Sequence, residues 1–259
     1  MNRISLTEDE LEILESALIE YGAVVTFDQL SNLFNENRQY ARKRINKLTK
    51  QGWLKRIKKG VYVMSDLSTR GTLAISHKAV VNIFVEEAYI SFETALQHYG
   101  LYDQLGASIN VVSLKQYKKT VIDKITYNFI KTQQQYFYGW NPHDIDGQVV
   151  KIASIEKALI DLIQFHRTRY STDLVLEKLR IFTEDIMPNR LTEYALKSNL
   201  TTQRIMGFLM DYANLDSSQI YSAVMNRKSV SSISKSENNQ YNHKWKLYYD
   251  SYFEKYAYK

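Results

Sequence analysis

Cysteine is absent from the 259 residues. That excludes disulfides and thiolate zinc sites, and it suits a reducing cytoplasm. No apolar run approaches membrane-spanning length, and the first residues lack the hydrophobic core of a secretion signal, so a soluble cytoplasmic protein with no membrane partner is expected. Histidine is sparse: His77, His98, His143, His166 and His243 include no pair at i, i+4 and no adjacent carboxylate in zinc-ligand form. Only nine glycines occur, and none build a Gly-rich loop ahead of a helix that could hold a phosphate. No catalytic residue, metal site or cofactor is therefore expected.

Acidic residues are missing from one stretch in particular. Asn37 to Gly60 contains no Asp or Glu and ten cations: Arg38, Arg42, Lys43, Arg44, Lys47, Lys50, Lys55, Arg56, Lys58 and Lys59. Such one-sided charge repels itself unless an anion lies opposite or the whole face is solvated. The net charge of +6 divides evenly. Residues 1–65 hold 11 Lys/Arg against 8 Asp/Glu and the remainder 23 against 20, so the basic signal is local, as a nucleic-acid footprint would be.

Read as a helix, this stretch places Ala41, Ile45 and Leu48 on one stripe. Gln39, Lys43, Asn46, Lys47 and Lys50 fall opposite, with Arg42 and Arg44 beside the stripe. Gly52 suits the helix end, and Trp53–Ile57 with Val61–Val63 reads as a hairpin whose tip is Lys58-Lys59-Gly60. Before it, Thr7-Glu8-Asp9-Glu10 and Thr26-Phe27-Asp28-Gln29 have the capping-box form and open two shorter helices. Helix, helix, basic helix and basic hairpin is the sequence form of a winged helix-turn-helix, residues 1–65. The competing reading is a solvated lysine-rich helix beside a surface hairpin.

The polar Ser65–Gly71 marks the expected junction to a second domain, 66–259, with a mixed sheet to about 165 and helices after it. A helix is expected over Thr72–Val85, and a short one after a Ser91 cap, ending at Gly100. Strands are expected over Ile109–Ser113, Lys118–Ile122, Ile125–Lys131, Tyr136–Trp140 and Val149–Ala153. Ser154 caps a helix over Ile155–Phe165, in which Lys157 and Asp161 form a surface i, i+4 pair and Glu156 faces the helix dipole. Four helical segments follow to about Met225. Ser229–Gln240 reads as a linker. The last segment carries Trp245, Tyr248, Tyr249, Tyr252, Phe253 and Tyr256 at helical spacing, an amphipathic helix docked on the protein's own body. The fold class expected is α+β.

Three segments resemble AbiEi-type antitoxins, bacterial abortive-infection proteins paired with a nucleotidyltransferase toxin. Gln51–Tyr62 resembles the family's wing. Tyr89–Leu101 is similar to its S-x-x-x-A-L…G-L segment through Ser91, Ala95, Leu96 and Gly100. Ile152–Asp161 is similar to its A-x-x-E-K-A-L-x-D helix through Ala153, Ser154, Glu156, Lys157 and Asp161. Gly139, after an aromatic stretch, also fits. The likeness spans about residues 8–165, and nothing after 170 matches. The resemblance implies a type IV toxin–antitoxin component acting in phage defence. Its winged helix would repress its own operon by binding operator DNA, and its second domain would counter the toxin without a stable complex. A DNA contact through Arg38, Gln39, Arg42, Lys43, Asn46, Lys47, Lys50, Lys55, Arg56, Lys58 and Lys59 is expected, by a protein monomeric when free and paired on inverted or repeated half-sites. Two other readings stay open: a winged-helix regulator whose second domain senses a small molecule, and an enzyme with an accessory DNA-binding domain.

Overall fold

The computed structural model describes residues 6–66, 72–104, 106–234 and 239–256, and these form a mixed α+β fold in two compact units. The first unit comprises residues 1–86 with the segments 121–125 and 144–150. It opens with helices α1 (Glu8–Tyr21) and α2 (Phe27–Phe34), separated by strand β1 (Val24–Thr26). Both helices start on the capping boxes read from the sequence, Thr7 with Glu10 and Thr26 with Gln29. Helix α3 (Arg38–Gln51) is capped by Asn37, whose side-chain oxygen accepts from Gln39 N–H at 2.7 Å, and it ends on Gly52 at φ +85°. Strands β2 (Leu54–Lys58) and β3 (Val61–Met64) pair antiparallel, and β1 joins the free side of β3.

The stripe Ala41, Ile45 and Leu48 is buried against Leu14, Leu30 and Leu54. Each buried Leu or Ile contributes about 1.5–3 kcal/mol of transfer free energy, which is what holds α3 in place despite its charge. Helix α4 (His77–Phe84) packs on β2, and Ser65 bridges Leu73, so this unit runs to Glu86 and not to the expected boundary at 65. The expected junction falls at Ser65–Gly71, of which 67–71 lie outside the described residues. The helix expected from Thr72 begins only at His77, after the cap Ser76, whose hydroxyl accepts from Lys78 N–H at 3.1 Å.

The second unit comprises residues 87–120, 126–143 and 151–259. Strand β4 (Ala88–Ile90) and helix α5 (Phe92–His98) lead to strands β5 (Ser108–Ser113), β6 (Thr120–Ile122), β7 (Ile125–Lys131), β8 (Trp140–Ile145) and β9 (Gln148–Ala153). They form a six-stranded mixed sheet in the order β6-β7-β5-β4-β9-β8. The strand expected over Tyr136–Trp140 is instead a 3-10 turn at Gln134–Tyr136 and a bend at Gly139, φ +77°, with β8 starting only at Trp140. Helix α6 (Ile155–Phe165) has the expected bounds, and α7 (Arg169–Ile181), α8 (Pro188–Lys197), α9 (Leu200–Tyr212) and α10 (Ser218–Val224) are the four expected segments.

The chain's end departs from expectation. Strands β10 (Ser231–Ser232), β11 (Asn239–Asn242) and β12 (Leu247–Asp250) make a small sheet where a linker and a helix were expected, and a 3-10 helix spans Ser251–Tyr256. Residues 235–238 of the expected linker lie outside the described residues. Leu247 and Tyr249 are buried while Tyr248 is exposed, a two-residue alternation that the helical reading of the aromatics overlooked. The expectation that the tail docks on the protein's own body stands: Trp245 is fully buried and lies on Gly207 of α9.

Candidate nucleic-acid interface

Burying Ala41, Ile45 and Leu48 turns the opposite side of α3 to solvent. Arg38, Gln39, Arg42, Lys43, Asn46, Lys47 and Lys50 are all exposed, as are Arg56, Lys58 and Lys59 of the hairpin, while Lys55 is half-buried. The cations divide into two sets by their partners. Arg38 pairs with Asp28 at 3.1 Å, Lys47 with the buried Glu10 at 2.7 Å, and Lys55 with Asp123 at 2.5 Å. Arg44 is held between Asp9 and Glu36. Burial opposes charge on the Arg44 guanidinium, and these two carboxylates more than offset it, so its pKa lies above the ordinary value. The acids absent from the basic stretch thus arrive from α1, α2 and elsewhere. Among the described residues, Arg42, Lys43, Lys50, Arg56, Lys58 and Lys59 pair with no carboxylate.

Three of these unpaired cations, Arg42, Arg56 and Lys59, line a groove of about 620 Å³, as does the Arg38–Asp28 ion pair. Arg38, Arg42 and Asn46, at i, i+4 and i+8 of α3, line one wall, and Arg56 and Lys59 of the hairpin the other. The hairpin tip is fixed by backbone geometry. Its register slips between Arg56 and Lys58, Gly60 adopts φ +76°, and the Gly60 carbonyl accepts from Phe27 N–H at 2.8 Å. Phe27 also lies under the Arg38 guanidinium at 5.1 Å. The exposed Tyr40 carries Lys43 over its ring at 5.3 Å. Sequence periodicity gave no sign of Phe27, Tyr40 or Tyr62 at this face. It also placed Lys47 among the foremost cations, whereas that ammonium is turned toward Glu10, and it put Arg42 at the flank when it lines the groove.

The residues of the two later resembling segments meet at a second place, and it is dry. Lys157 and Asp161 are both fully buried and 2.5 Å apart, not the surface pair expected. Asp161 Oδ2 accepts from the Ser91 hydroxyl at 2.7 Å and from the Tyr89 hydroxyl at 3.1 Å. Ser91, read as a helix cap, makes no capping bond, because its hydroxyl is given to Asp161. The Lys157 ammonium sits over the Tyr138 ring at 4.6 Å, and burial pushes the Tyr138 hydroxyl well above its usual pKa. Glu156 lies in the first turn of α6, as expected for the helix dipole, and is buried as well. It accepts from the Ser154 hydroxyl at 2.8 Å and from Met187 N–H at 3.0 Å, with Arg190 at 3.7 Å. Ser154 does cap α6, accepting from Lys157 N–H at 3.3 Å. Ala95, Leu96 and Ala153 are core residues, and Gly100 turns the chain at φ +75°. Full burial gives this cluster the geometry of a structural lock between β4, α5 and α6.

His98 and His143, far apart in sequence, bring ring nitrogens within 3.4 Å, and the Tyr99 hydroxyl lies 3.3 Å from His143. A small polar pocket of about 170 Å³ lies between Glu93, Gln97, Tyr102 and Asn110. Among the described residues no helix is long and apolar enough to cross a membrane, and no group of three or more His, Asp or Glu could hold a metal ion.

No protein-family model and no curated protein matches the sequence. Among solved structures the chain is similar to the RV2827C protein from Mycobacterium tuberculosis, with a TM-score of 0.66 over 95% of this chain and 92% of that one. At 13% identity, what the two proteins have in common is the fold.

Proposed function

We propose that α1, β1, α2, α3 and the β2–β3 hairpin form a winged helix-turn-helix that binds duplex DNA. Helix α3 enters the major groove, and the hairpin lies along the flanking backbone. The observation that carries this reading is the groove in which Arg42 and Asn46 of α3 face Arg56 and Lys59 of the hairpin, with no carboxylate pairing Arg42, Arg56 or Lys59 among the described residues. Gln39 and Asn46 are suited to adenine edges, and Arg42 and Lys43 to guanine or phosphate. The test is binding to the DNA upstream of the chain's own gene across a salt series. Neutralising several phosphates gives a steep negative slope of log K against log salt, whereas a slope near zero would overturn the reading.

The role we assign to the whole chain is that of an autorepressing antitoxin acting against a nucleotidyltransferase toxin. Its support is the likeness of three segments to AbiEi-type antitoxins, together with the direct bonding of the two later ones through Asp161. A nucleotidyltransferase encoded beside this chain, toxic alone and tolerated on co-expression, is the expected result. The regulator with a small-molecule sensor gains little from the polar pocket, whose about 170 Å³ falls short of the roughly 300–1,000 Å³ usual for ligand sites.

A further inference from the structure

Helix α7 begins on Arg169 and carries Arg180 next to its last residue. Arg169 and Arg180 stand eleven residues apart, three full turns, so both lie on one face about 16 Å apart along the axis. The 3-10 helix at Ser251–Tyr256 lies across that face. The Arg169 guanidinium is 5.2 Å from the Tyr252 ring centre and the Arg180 guanidinium 5.3 Å from that of Tyr256. Between them the Lys255 ammonium sits 3.5 Å from the Tyr252 ring centre and 4.6 Å from that of Tyr256. The result is a row of three cations laid over two tyrosines.

Among the described residues no carboxylate forms an ion pair with this row, although the charge of Asp173 acts on Lys255. Asp173, on the same face, uses both carboxylate oxygens to accept from the Tyr252 and Tyr256 hydroxyls, each at 2.8 Å. Glu177 pairs with Lys178 at 2.7 Å. Among the described residues none of Arg169, Arg180 and Lys255 pairs with a carboxylate. A guanidinium lying over a ring keeps its in-plane N–H donors for an anion, and the ring holds it in place. Beside the row, Arg180, Ile181, Lys255 and Tyr256 line a concavity of about 490 Å³, together with Glu177, whose carboxylate is paired with Lys178.

We propose that this row is a second nucleic-acid contact, separate from α3, that grips the phosphate backbone of one strand. Length selects the ligand. A free phosphate reaches one end of the row, whereas a strand with a charge every ~3.4 Å of axis presents several phosphates along its ~16 Å. Recognition is of the backbone, since arginines held by tyrosines read charge and spacing and no base edge is approached.

The test uses the full chain and a 20-base-pair duplex of arbitrary sequence, followed by fluorescence anisotropy across a salt series. Two backgrounds are compared, one unaltered and one carrying Arg42→Ala with Lys43→Ala on α3. Replacing Arg169, Arg180 and Lys255 together by Gln should flatten the slope of log K against log salt by roughly 2–3 in both backgrounds, about 0.9 per phosphate released. Arg169→Lys with Arg180→Lys keeps the charges and should retain most of the slope, which separates lost charge from lost packing. An unchanged slope in both backgrounds overturns the proposal. So does loss by the Gln variant of binding to vesicles containing phosphatidylserine while duplex binding is untouched. If instead only the α3 substitutions fail to weaken binding, the proposal stands and the reading of α3 falls.

Discussion

Ser91 donates its hydroxyl to Asp161 at 2.7 Å, inside a protein interior where both residues are sealed from solvent. That bond joins the strand β4 end to α6, and among the described residues Asp161 is also the one carboxylate paired with the buried Lys157 ammonium. Removing one partner of such a pair leaves an uncompensated buried charge, a loss of about 3–5 kcal/mol. Asp161→Ala should therefore destabilise by that amount in urea unfolding. Lys157→Met with Asp161→Leu removes both charges and should lose far less. Equal losses for the single and double variants would mean that the pair's charge is not what holds the region.

Gly139 lies against the same lysine. Its φ of +77° strains any other residue, and a Cβ there would come within 3.0 Å of Tyr194 Cε2 and 3.1 Å of Lys157 Cβ. Gly60 has nearly the same φ but open space around its Cβ direction. Gly60→Ala should cost about 1 kcal/mol, the left-handed penalty alone. Gly139→Ala adds overpacking, typically another 1–3 kcal/mol. Thermal melting of the two variants side by side checks the ordering.

Period and caps were legible where local chemistry decides. The stripe Ala41, Ile45 and Leu48, the two capping boxes, and the bounds of α6 follow from residues within a turn of each other. What failed was set by partners distant in the chain. Lys157 and Asp161 look like any surface i, i+4 pair until Tyr89, Ser91 and Tyr138 close over them. The tail reads as a helix because its aromatics recur at 3.6 spacing. Its strand is fixed by pairing with β11 and by Trp245 resting on Gly207, where a Cβ would approach within 2.1 Å of the indole. The pairing of Lys47 is invisible locally because Glu10, 37 residues earlier, lies on another helix. The cationic composition of the candidate interface was legible. Which cations remain unpaired was not.

That division of the cations predicts a ranking on DNA. Arg42→Ala and Lys58→Ala with Lys59→Ala remove cations that pair with no carboxylate among the described residues, and each should weaken operator binding with a flatter salt slope. The hairpin pair should weaken specific and nonspecific binding alike, because backbone contacts position without reading sequence. Lys47→Ala should affect binding least, since its ammonium is already directed to Glu10. A Lys47 effect equal to that of Arg42 would show that the Glu10 pair opens on DNA.

Glu10 also gives the first unit an acid limb. Burial alone would raise its carboxyl, but Lys47 and the bonds with Thr7 outweigh it and hold the pKa below the ordinary carboxylate value. A carboxylate with a depressed folded-state pKa stabilises above its unfolded value and loses that contribution as pH falls through the folded one. Stability should therefore decline as pH drops below about 4.5, with Glu10 among the groups responsible. Lys47→Met should shrink the decline, and Thr7→Ala should cost about 1 kcal/mol at neutral pH through the lost cap. Unfolding midpoints at pH 7 and pH 3.5 distinguish the two effects.

The two proposed activities should separate by substitution and not by truncation at residue 65. A cut there parts α4 from β2, on which it packs, and opens the Ser65–Leu73 bridge, so loss of protection by such a fragment would report damage to the first unit. Lys43→Ala with Asn46→Ala leaves the core intact, because both side chains are exposed opposite the buried stripe, and surface changes of this kind usually stay within about 0.5 kcal/mol. This variant should lose repression of a promoter reporter and still protect cells expressing the partner toxin. Asp161→Ala should do the reverse if the lock it belongs to shapes the antitoxin surface: protection falls while repression persists. If the α3 variant instead loses both activities with an unchanged melting temperature, toxin control acts through DNA binding, and the assignment of separate roles to the two units is wrong.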